Sequence, residues 1–111
     1  MNYDLHGKKP TAPEGNLFRR KADHWRPIVD LCADLAPKES RACKDWYGSN
    51  PGYGLNAKQS ERLAQRLEQL FAGGQISAYS NRFVDFRLQS SEESIREFAS
   101  FLKTCGGFQI M

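Results

Sequence analysis

The amino-acid sequence predicts a small α+β domain dominated by helix, with about three helices and two or three short strands. Two stretches, AKQSERLAQRLEQLFA at 57–72 and the run between Ser91 and Gly106, repeat apolar residues at helical spacing and end at paired glycines. NYDLH at 2–6, FVDFRL at 83–88 and FQIM at 108–111 are short segments of strand character. The chain has 111 residues, 40% hydrophobic and 26% charged, which suits one modest core and a single domain over 1–111.

Taken in order, residues 2–6 form a short strand or extended arm ending at Gly7. KKPTAPEGN at 8–16 carries two prolines and a glycine and reads as a surface loop. The first helix is expected over about 23–36. Asp23 caps it, and Pro27 must then lie in the first turn, where a missing N–H costs nothing. Trp25, Ile28, Val29, Cys32 and Leu35 make its apolar face, and Pro37 stops it.

Residues 37–56 form a long irregular loop holding Trp46, Tyr47 and Tyr53. The second helix follows Asn56, with Leu63, Ala64, Leu67, Leu70 and Phe71 on one stripe and Gly73-Gly74 at its end. Residues 75–82 continue as helix after a break or form a strand; the pattern favours neither. Over 83–88, Val84, Phe86 and Leu88 share one face, as in a strand. Ser90 or Ser91 caps the third helix, and Glu92 and Glu93 suit its first turn. Ile95, Phe98, Ala99 and Leu102 face the core, with Phe101 at the edge. After Gly106-Gly107, the last residues pair as a strand with 2–6 or with 83–88.

The net charge of +3 is mild, which argues against a duplex-DNA binder. It is also uneven: residues 1–27 hold six basic residues (Lys8, Lys9, Arg19, Arg20, Lys21, Arg26) against three acidic ones (Asp4, Glu14, Asp23). Three cysteines, Cys32, Cys43 and Cys105, with no signal-peptide pattern and no long apolar run, point to a soluble cytoplasmic protein with free thiols.

No CxxC, HxxxH or HExxH occurs, so no metal is expected. Cys105 sits at a helix C-terminus, the wrong end for a thiolate. GSNPGYG at 48–54 matches neither phosphate-loop pattern and reads as turns. The expectation is a binding protein, with no catalytic residues and no cofactor.

The candidate binding stretch is LFRRKADHWRP at 17–27. Arg19 and Arg26 carry planar forks suited to phosphate. Trp25, Trp46, Tyr47 and Tyr53 are flat surfaces on which a base could stack. A plainer reading competes: Trp25 falls on the core stripe of its helix, and Phe18 packs at the helix start.

NYDLHGKKP, GNLFRRKADHWRPIVDLC and SIREFASFLKTCGGFQIM resemble the terminal blocks of a family of small bacterial and phage proteins. The middle, NPGYGLNAKQSERLAQRL, resembles it more loosely, and His24-Trp25 stands where the family has a run of tryptophans. The resemblance implies a phage or mobile-element accessory protein acting in the host cytosol; no activity comes with it.

Together these observations lead to an anti-defence type of binding protein holding a small anionic ligand, most plausibly a nucleotide. A homo-oligomer interface would complete the pocket. The alternatives are a protein–protein inhibitor of a host factor using the 46–53 aromatic loop, and a single-stranded nucleic-acid binder.

Overall fold

A computed structural model of the chain describes residues 2–40, 46, 54–80 and 92–110. At its centre, β1 (Asn2–Gly7) lies between β2 (Leu17–Lys21) and β4 (Gly107–Ile110). A short β3 (Gly54–Asn56) adds to the far side of β4, giving the order β2-β1-β4-β3 with every pairing antiparallel. Four helices accompany the sheet: α1 (Ala22–Leu35), α2 (Ala57–Ala72), α3 (Gln75–Ser80) and α4 (Glu92–Thr104). The fold is therefore α+β.

The pleat sorts the side chains. Leu5, Phe18, Leu55, Phe108 and Ile110 point inward and are buried. His6, Arg19, Lys21 and Gln109 point outward and are exposed. The inner face is covered by an aromatic cluster drawn from several elements. Phe98 of α4 lies 5.2 Å from Phe18 and edge-on to Trp25 at 5.6 Å. Phe108 of β4 lies 5.6 Å from Trp46 and 5.8 Å from Phe101. Phe101, expected at the edge of its helix, is fully inside the core.

The firmest helix of the sequence reading, α2, begins as expected. The Asn56 side chain accepts from the Gln59 N–H at 2.8 Å, and the Gln59 side chain accepts from the Asn56 N–H at 2.9 Å. That reciprocal pair satisfies two of the donors a helix start leaves open. The chain turns after α4 through Gly106 and Gly107, both at positive φ (65° and 91°). A Cβ on Gly106 would lie 2.3 Å from the Lys9 carbonyl, so space and backbone both demand glycine there. Lys9 and Thr11 donate to the carbonyls of Cys105 and Thr104, which straps the 8–16 loop onto this turn.

Several expectations are corrected. Residues 17–21 form a strand that periodicity did not suggest, and 54–56 form another inside the expected 37–56 loop. Helix α1 begins at Ala22 with Lys21 at its N-cap, and no side chain caps it. Asp23 lies in the first turn instead, and Pro27 sits inside the helix. Its ring there removes the N–H that would reach the Asp23 carbonyl. Residues 75–80 are helical. Of the terminal alternatives, β4 pairs with β1, Leu5 opposite Ile110. The expected strand at 83–88 and most of the 37–56 loop lie outside the described residues.

Candidate binding surface at the β2 edge

The candidate residues group around β2 and the first turn of α1. Among the described residues β2 is an edge strand, and the register decides what its edge displays. The Gly7 N–H donates to the Asn16 carbonyl, and the Lys8 N–H donates to the Gly107 carbonyl. Backbone groups alternate sides along a strand. Hence Phe18 and Arg20 direct their N–H and C=O toward β1, and Leu17, Arg19 and Lys21 direct theirs away from the sheet. Leu17 is also the one large apolar side chain left exposed among the described residues, at 40%.

Each cation here has a different commitment. Arg19 makes a two-pronged pair with Asp4 directly across the β1–β2 ladder, Nε to Oδ1 at 2.7 Å and Nη2 to Oδ2 at 3.0 Å. The guanidinium holds the Asp4 carboxyl below its ordinary range, and Asp4 in turn raises Arg19. Both groups face solvent, so the pair orients side chains more than it stabilises the fold.

Arg20 points inward. Its guanidinium lies 4.1 Å from the Phe18 ring centre, pairs with Glu97 and donates to the Arg19 carbonyl at 2.8 Å. Arg20 is thus a brace between β2 and α4. Lys21 and His24 are exposed, and their side chains make no ion pair or hydrogen bond among the described residues.

Arg19, Arg20, Lys21 and His24 line one open depression of about 340 Å³. On the inner side of the same strand, a second of about 430 Å³ runs between β2 and α4, with Leu17, Phe18, Arg96 and Glu97 in its wall. Arg26 is elsewhere: it lines a separate depression with Tyr3, Ala22 and Trp25 and has interactions of its own. Arg19 and Arg26 therefore do not converge on one pocket, as a shared phosphate would require.

The expected stacking platforms are also placed differently. Trp25 is wholly buried, stacked on Trp46 at 5.8 Å with 22° between the rings, and Trp46 is 3% exposed. Phe98 packs against both indoles. Protein surrounds these rings, so a base has no access to them, and the core reading of Trp25 is the one the geometry matches. Tyr47 and Tyr53 lie outside the described residues.

The sequence reading missed Lys21 and His24 as the open members of the basic stretch. It also missed Asp4 as the partner of Arg19; only the strand register brings those two together.

Among the described residues, no three His, Cys, Asp or Glu side chains group as metal ligands. None of their helices is long and apolar enough to cross a membrane. Comparison of the chain with protein-family models, curated proteins and solved structures finds no match.

Proposed function

We propose that the protein is a binding module that takes an anionic partner at the corner between β2 and α1. The observation behind this reading is the depression lined by Arg19, Arg20, Lys21 and His24, in which the Lys21 and His24 side chains have no partner among the described residues. A lysine without a protein partner loses less on meeting an anion than one already paired. Arg19 contributes a fork held in place by Asp4, and Arg20 contributes a brace rather than a contact.

A stacked nucleotide has less support than a partner held by charge and backbone, because Trp25 and Trp46 are core residues. A protein partner, the alternative reading of the sequence, keeps its place with the contact surface moved from the 46–53 loop to residues 17–24. A phage or mobile-element accessory role, countering a host factor, is proposed on the sequence resemblance alone.

The test is a titration of the isotopically labelled protein with adenosine triphosphate, pyrophosphate and a glutamate-rich peptide, followed by backbone amide shifts. Shifts centred on residues 19–24, weakened by added salt and lost in a Lys21→Glu/His24→Glu variant, support the proposal. If none of the three anions moves those amides, the reading is wrong. Native mass spectrometry of protein purified from cells adds the subunit count and any retained small molecule.

A further inference from the structure

We infer that the open edge of β2 accepts an extended, acidic segment of a partner protein as a fifth strand of the sheet. The inference rests on the anion-binding reading above and names the partner's chemistry.

Three observations converge on that edge. The N–H and C=O of Leu17 and the N–H of Arg19 point away from β1 and have no partner among the described residues. The Arg19 carbonyl accepts from Arg20 Nη1 and keeps a second lone pair. A sheet edge of this kind is a template for another strand.

Leu17, exposed at the start of the same edge, offers an apolar anchor. On the outer face the charge is complementary to an acid. Arg19 and Lys21 follow Leu17 on the outer face, where the Asp4 carboxylate is already engaged by Arg19.

An added strand would alternate its side chains across these two environments. Residues on the outer face would meet Arg19 and Lys21, which favours glutamate or aspartate. Residues on the inner face would enter the depression between β2 and α4, where Glu14, Glu93 and Glu97 stand beside Arg20 and Arg96. Those carboxylates disfavour a further acid, so that side favours small or apolar groups. The recognised segment is therefore one that alternates acidic with apolar residues.

Other occupants fit less well. A second copy adding antiparallel about Arg19 would set Arg19 opposite Arg19, a like-charge cross-strand pair. A single-stranded nucleic acid would meet the cations, but it could neither use the backbone ladder nor stack on the buried rings of Phe18 and Trp25. Basic side chains on an edge also guard against unwanted pairing. An acidic strand is the partner for which that guard becomes attraction.

The experiment is amide hydrogen exchange on the full chain, with and without an acetylated, amidated peptide of about eight residues alternating glutamate with valine. Strand addition predicts that exchange at the Leu17 and Arg19 amides slows by at least about tenfold. The Phe18 and Arg20 amides, already turned toward β1, should change little.

Arg19→Ala and Arg19→Pro form the second arm, since proline is tolerated where an edge N–H faces solvent. Both lose the fork, and only proline loses the N–H. Peptide affinity that falls a further ~5-fold or more from Ala to Pro supports a backbone bond of ordinary strength.

A peptide that binds and moves residues 19–24 without the alternating protection would overturn strand addition and leave the anion-binding reading standing. No binding of the peptide, with pyrophosphate still moving residues 19–24, would also overturn it. Tighter binding of a single-stranded oligonucleotide of matched charge would assign the edge to nucleic acid. Protection that appears without peptide and grows with protein concentration would assign it to a second copy. Silence from all anions would end both proposals.

Discussion

The indole N–H of Trp25 donates to the main-chain carbonyl of Trp46 across 3.0 Å, while the two rings stack at 5.8 Å. This ties α1 to Trp46 within the core. Trp25→Phe keeps most of the ring but leaves the carbonyl without its donor in a buried place. The expected cost is about 2–4 kcal/mol, from lost volume and an unpaired acceptor together. Denaturant unfolding of the two proteins measures it; a change within error would mean that water reaches the Trp46 carbonyl.

The capping pair at the start of α2 predicts a coupled effect. Asn56→Ala removes both the side-chain acceptor and the reason for Gln59 to fold back, and should cost about 1 kcal/mol. Gln59→Ala should cost less alone, and the double variant little more than Asn56→Ala. Strict additivity in the thermal or urea midpoints would show that the two bonds act independently.

The Asp4–Arg19 pair predicts a pH effect of definite sign. Asp4 is held below its ordinary range in the folded state by Arg19. Its small contribution is therefore present at neutral pH and fades as pH falls through the folded-state value. In a carbon-detected titration, Arg19→Ala should move the Asp4 midpoint back up to the usual carboxylate range. An unmoved midpoint would mean that something other than Arg19 depresses it.

Cys32 and Cys105 are buried thiols, neither in a disulfide, and burial pushes the Cys105 thiol up. Neither should react readily with iodoacetamide in the folded protein, and both should react once it is unfolded. Peptide mapping by mass spectrometry separates these sites from Cys43. Fast native labelling at Cys105 would show that the 8–16 strap lifts away from the end of α4.

Much of this architecture is legible in the sequence where local signals and burial agree. In α2, a cap at Asn56, the stripe through Leu63, Leu67 and Leu70, and a glycine pair all indicate one helix. α4 is similar. β2 was illegible because its inward position 20 is arginine. Alternation needs an apolar residue there, and only the packing of Arg20 on Phe18 and its pairing with Glu97 make the position work. The start of α1 was displaced because Asp23 mimics a cap while Lys21, the true N-cap residue, gives no signal.

For the site, residue type misled where spacing did not. Trp25 carries the chemistry of a stacking platform, yet its place on the stripe with Ile28 and Cys32 correctly indicates the core. Trp46 had no such spacing to read. The pairing of Arg19 with Asp4 depends on strand register, which a single sequence does not display.

The adjacency of β1 and β4 sets the order of events as the chain is made. Leu5 emerges early but its neighbour Ile110 comes nearly the whole sequence later. A nascent chain can form the β1–β2 hairpin and α2 on its own, but the inner edge of β1 stays unpaired until the last strand arrives. The closing step joins residues far apart in sequence, so topology makes it slow relative to the local helices. Until then β1 is an exposed edge where the finished sheet has an interior strand, and a holding chaperone would find its handle there.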